Sequence, residues 1–117
     1  MNGSMKTGMH LVVVVLFDDS ALGDIILGLT SISGGFVTMI DGVSGTENLS
    51  QAIPMFAEFA DMGGRRFCKV LFTCISKPNP VDNLLEILSE GGIDFAQSGY
   101  GEIYDVPLDQ AFIIGEE

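Results

Sequence analysis

The stretch from Met9 to Phe17, Met-His-Leu-Val-Val-Val-Val-Leu-Phe, limits the folds open to this chain more than any other. Four consecutive valines lie at its centre. Their β-branched side chains have few rotamers to lose on a pleated surface, so the stretch is a strand. It does not alternate between polar and apolar. His10, Val12, Val14 and Leu16 point to one side, and Leu11, Val13, Val15 and Phe17 to the other. Both sides therefore demand burial, which marks an interior strand of a sheet covered on both faces. The fold has to supply two covers.

The rest of the chain offers only some of that cover. Asp18, Asp19 and Ser20 are three N-caps in a row, with their acids at the positive end of a coming helix. Leu22, Ile25, Ile26, Leu29 and Ile32 form its apolar face, and Gly34 and Gly35 stop it. Gly23 and Gly28 within it weaken the helix and are expected to permit close packing on a neighbour. Phe36–Asp41 is a second strand, and Gly42–Gln51 a polar, glycine-bearing loop. Ile53–Met62 is a short helix with Pro54 in its first turn. Arg65 and Arg66 introduce a third strand, Phe67–Ser76. Asn79 as N-cap, Pro80 at the first helical position and Asp82 in the first turn open a helix over Val81–Glu90. Its apolar face is Val81, Leu84, Leu85 and Leu88. Gly91 and Gly92 close it. A loop over 93–100 leads to a fourth strand, Gly101–Val106, broken by Pro107. Gln110–Ile114 is a short extended piece or turn. Met1–Gly8, small and polar, reads as a disordered leader or an expression remnant, which leaves 9–117 as one domain.

This order is the ferredoxin-like βαββαβ sandwich, an α+β fold with an antiparallel sheet, two helices on one face and an extra short helix between strands two and three. Right-handed crossovers place the first and third strands at the centre. Two helices cover one face only. An exposed apolar sheet face of several hundred Å2 is rare on a soluble monomer. The second face is therefore expected to be covered by another copy, giving a homo-oligomer with its sheets turned to the centre.

Charge narrows the function. The chain carries 16 acidic residues against 5 basic ones, a net charge of -11. Phosphate backbones and anionic lipid surfaces repel such a chain, so nucleic acid and membrane surfaces are excluded as partners. No uncharged run reaches ~18 residues, so no membrane span is expected. Cys68 and Cys74 lie on one strand, six residues at ~3.3 Å apart, or roughly 20 Å. That is beyond disulfide reach, and they read as reduced thiols of a cytoplasmic protein. His10 is the one histidine, which argues against a His-based metal site or a Ser-His-Asp triad. Asp18, Asp19 and Asp24 are accounted for by helix capping. No catalytic residue and no metal ligand is assigned.

The segment Gly99-Tyr100-Gly101-Glu102-Ile103-Tyr104-Asp105-Val106-Pro107-Leu108 resembles the last strand of the PII signalling proteins. That family has a Gly-x-Gly-Lys-Ile-Phe-Val-x-Pro type of segment there. The first strand with its Asp-containing exit, and the order of elements over 9–114, fit as well. The resemblance implies a ferredoxin-like trimer that binds small effectors, often adenine nucleotides, in clefts between subunits. It also implies regulation of a target protein through the loop between the second and third strands. The departures are specific. Glu102 stands where the family has a phosphate-binding lysine, and a carboxylate repels phosphate. The chain ends Gly115-Glu116-Glu117 in place of a basic tail. Gly42–Gln51 and Ile53–Met62 replace the tyrosine-bearing signalling loop.

The candidate ligand residues are Asp41, Gly42, Ser44, Gly45 and Thr46 at the end of the second strand, Arg65 and Arg66, and Gly99, Gly101 and Glu102. With Lys69, the two arginines concentrate three of the five basic residues, which suits an anionic ligand. Gly99 and Gly101 can turn backbone N–H groups toward an anion. Each has a plainer reading beside it: ion pairs with Asp61 or Glu58 for the cations, a tight turn for the glycines, a solvated loop for 41–46. The expected function is non-enzymatic: regulatory binding of a small effector, a nucleotide or another anion, signalled through residues 42–64. The alternative is a small enzyme or a divalent-ion tolerance type protein on the same scaffold.

Overall fold

The valine-rich stretch is a strand that pairs on both of its edges. In a computed structural model of the chain, which describes residues 3–45, 65–97 and 99–114, the elements follow in order. They are β1 (Gly3–Lys6), β2 (His10–Leu16), α1 (Leu22–Ser33), β3 (Thr38–Gly45), β4 (Arg65–Ile75), α2 (Pro80–Glu90), β5 (Gly101–Pro107) and β6 (Ala111–Ile114). One turn of 3-10 helix, Asp19–Ala21, leads into α1. β2 lies between β4 and β5, and β3 pairs with the far edge of β4, all antiparallel. The sheet order is β3-β4-β2-β5, the ferredoxin-like arrangement with β2 and β4 central.

One face of the sheet is the core. Val12, Val14 and Leu16 of β2 and Leu71 of β4 are 0% exposed, with Ile75 almost as deep. They pack with Ile25, Leu29 and Ile32 of α1 and Leu84 and Leu88 of α2. Complete burial of such a side chain contributes about 1.5–3 kcal/mol, so this layer supplies most of the drive to fold. The two helices cross closely at Gly28, where an added Cβ would stand 2.7 Å from Leu84 Cδ1. Asp18 caps the 3-10 turn by accepting the Ser20 N–H at 3.0 Å. The Ser20 hydroxyl, followed by that backbone contact, holds the Asp18 carboxyl below its ordinary range. Gly34, at φ 68°, ends α1 in the left-handed conformation.

Among the described residues no helix covers the other face. By strand alternation it carries Leu11, Val13 and Val15 of β2, and Val70, Phe72 and Cys74 of β4, all half-buried. At its edges lie Ile40 (52% exposed), Tyr104 (49%) and Val106 (42%). Among the described residues no helix is long and apolar enough to cross a membrane.

Several boundaries differ from those read in the sequence. Residues 3–6, expected to lie outside the fold, pair with Ala111–Ile114 in a two-stranded antiparallel ribbon. The terminal piece is therefore a strand. β3 begins at Thr38 and runs through Gly42 to Gly45, where a loop was expected, and β4 begins at Arg65. Mutual pairing of these two stretches, Gly42 with Cys68 and Gly45 with Arg65, outweighs the poor strand propensity of Gly and Ser. Gly42 also suits its place, because a Cβ there would come within 3.2 Å of the Cys68 sulfur. Asn79 occupies the N-cap position of α2, but at φ 53° its side chain makes no capping hydrogen bond. The expected short helix at 53–62 lies outside the described residues.

Candidate functional site

The antiparallel registers gather one end of the sheet. Asp41 pairs with Lys69, Lys69 with Leu16, and Leu16 with Gly101, so these four residues form one row across β3, β4, β2 and β5. At ~4.8 Å per strand the row spans roughly 14 Å. The end of β2, the later part of β3, and the beginnings of β4 and β5 all meet here, beside the start of α1.

Alternation then divides the row's surroundings between the two faces. Asp41 and Lys69 lie on the helix-side parity, with Leu71, while Glu102 lies on the open side, opposite Val15. A cleft of about 360 Å3 opens on the Asp41 side. It is lined by Phe17, Asp19, Asp41, Gly42, Phe67, Cys68 and Lys69. Lys69 Nζ donates to Asp41 Oδ1. The Lys69 side chain is 27% exposed and that of Asp41 80%. The Asp41 hydrogen bond and charge hold the Lys69 ammonium above its ordinary range, with a smaller contribution from Asp19 against partial desolvation. Two carboxylates, one ammonium and two phenylalanines thus line one cleft.

The β5 side of the row is built for close approach. Gly101 sits where an added Cβ would stand 2.1 Å from the Val15 carbonyl oxygen, a contact no side chain tolerates. Just before it, the Tyr100 carbonyl accepts from the Phe17 N–H at 2.8 Å and the Asp18 N–H at 3.3 Å. The Tyr100 ring stacks on Phe95 at 5.8 Å. Gly99, at φ 102°, turns the chain into this contact. Tyr104 Oη donates to Glu102 Oε1 at 2.8 Å on the open face. That bond, with some desolvation and the Glu102 charge, holds the Tyr104 phenol above its ordinary range.

Asp41 and Gly42 therefore lie in the cleft, whereas Gly99, Gly101 and Glu102 lie at the same sheet end but across β2 from it. Ser44 and Gly45 pair with Arg66 and Arg65 through the backbone, and Thr46 lies outside the described residues. Phe17, Asp19, Phe67 and Cys68 were not among the candidate ligand residues read from the sequence. The signal for this wall was Lys69 itself, a charge on the same parity as Leu71, Thr73 and Ile75, where an apolar residue is the rule. His10 Nδ1 lies 2.7 Å from Asp105 Oδ1 and ties β2 to β5 at the far end of the sheet. Cys68 and Cys74 are both free thiols. Among the described residues no three of His, Cys, Asp and Glu lie close enough to hold a metal ion.

No family description matches the sequence, and no curated protein is similar to it by sequence. Among solved structures, this chain is similar to PII of Arabidopsis thaliana bound to citrate, with a TM-score of 0.54 and 13% sequence identity. The match covers 89% of this chain and 80% of that one. At that identity the likeness is one of fold.

Proposed function

We propose that this chain is a PII-like regulatory protein that binds a small effector at the loop end of its sheet and signals to a target protein through residues 42–64. The observation that carries this reading is the convergence of Asp41, Gly42, Gly101 and Glu102 on one sheet end, beside a cleft, in a fold similar to a PII protein. Asp41 and Gly42 sit where β3 leads into the proposed signalling segment, so a ligand there acts directly on the conformations that segment populates. The chain works as a homo-oligomer, a trimer by analogy of fold, with the open sheet faces turned inward. The support for that is the row of apolar side chains on a face the two helices leave bare. By the same analogy of fold each effector site lies at a subunit boundary, and no bond is made or broken in it.

The test is the shift of the thermal midpoint with ATP, ADP, AMP, cyclic dinucleotides and citrate, each at about a millimolar. A ligand at 100 times its Kd adds ~2.7 kcal/mol, several degrees for a chain of this size. A shift with one of them supports an anionic effector. No shift with any anion ends the anion-effector reading.

A further inference from the structure

We propose that Lys69 anchors a site for a small zwitterion of the α-amino acid class, with Asp41 occupying the anion position in the free chain. This rests on the effector-binding reading above and narrows its ligand. Lys69 lies on the core-side parity of a central strand, and its stem is mostly covered, so its ammonium is delivered to a fixed place in the cleft. Asp41, by contrast, is mostly in solvent and lies on the sheet's outer strand. It is the member of the pair that can swing away. A ligand carboxylate can take its place on Lys69 at no change in the charge facing that ammonium.

Charge balance then selects the rest of the ligand. The cleft holds two carboxylates, Asp19 and Asp41, against one ammonium. A plain carboxylate would add a third negative charge and leave both aspartates without a cation. A zwitterion adds none, and its own ammonium takes over the carboxylates that Lys69 gives up. Phosphate, with two charges, is the worst fit. Two phenylalanines, Phe17 and Phe67, line the cleft, which suits a ligand with an apolar body. A volume of about 360 Å3 falls within the range of small-ligand sites.

Calorimetric titration of the full chain with three probes tests this: L-phenylalanine, 3-phenylpropanoate, which lacks the amine, and phenethylamine, which lacks the carboxylate. The expected order is L-phenylalanine bound at least tenfold more tightly than either. Lys69→Gln is expected to weaken the amino acid at least tenfold, and Lys69→Arg to retain it. Asp19→Asn is expected to narrow the gap between the amino acid and 3-phenylpropanoate. Equal binding of phenethylamine and L-phenylalanine, or indifference to Lys69→Gln in a variant that keeps its circular dichroism spectrum, overturns the proposal. If nucleotides stabilise the chain while no amino acid binds, the effector-binding reading stands and this one falls. If neither class binds, both fall.

Discussion

The two faces of β2 carry nearly the same side chains and meet opposite fates. Val12, Val14 and Leu16 are sealed under two helices, while Leu11, Val13 and Val15, one residue away in each case, remain half-open. Hydrophobicity along a strand states a demand for burial and does not say which part of the assembly meets it. For the first set the cover is within the chain, and its contribution is to folding. For the second, a further copy of the chain is the proposed cover, and its contribution is to association.

The sharpest way to separate the faces is to damage each in turn. Leu84→Ala removes a fully buried contact under the helix-side layer. It should cost about 2–5 kcal/mol, a fall of roughly 10 °C or more in Tm that does not depend on protein concentration. A small loss would mean that the helix layer is not the core. Phe72→Asp places a charge on the open face. The subunit should keep its fold and its helical circular dichroism, while sedimentation shows association weakened more than 100-fold. An assembly that survives the aspartate breaks the comparison, because the open face would then be solvent-exposed and not an interface.

The smallest expected effect concerns the one carboxylate of the open face among the residues whose side chains are described. Glu102→Gln should bring the alkaline spectral titration of Tyr104 down, since the Glu102 hydrogen bond is the main cause of its raised phenol. The sign for stability follows from that direction. A group raised in the folded chain contributes below its unfolded value of 10.0, and the contribution is lost as pH rises through the folded value. Alkaline stability should therefore lose a step in the Glu102→Gln variant. An unchanged titration would show that the phenol and the carboxylate do not meet in solution.

The parts of this fold that could be read from sequence are those governed by local rules. The helix faces at Leu22–Ile32 and Val81–Leu88 repeat at helical spacing and end at glycines. The strand at His10–Leu16 is one unbroken apolar run. What escaped depends on distant pairing. Nothing in Gly3–Lys6 announces a strand until Ala111–Ile114 lies beside it. Gly42 and Ser44 look like loop residues until Cys68 and Arg66 pair with them.

The site divides in the same way. Lys69 stood out as a cation, but its link to Asp41 is a property of the β3–β4 register. The Gly-x-Gly before β5 was visible as a motif. Its reason, the Val15 carbonyl pressed against Gly101, belongs to packing and has no sequence signature.

The last rung of the β3–β4 ladder, Gly45 opposite Arg65, has a consequence for engineering. It holds Gly45 and Arg65, the residues on either side of 46–64, one strand spacing apart. Doubling the length of an insert between such fixed posts costs only about 0.6 kcal/mol. Sequences of other lengths grafted between Gly45 and Arg65 should therefore leave the β3–β4 pairing standing, which thermal melting of the grafts checks.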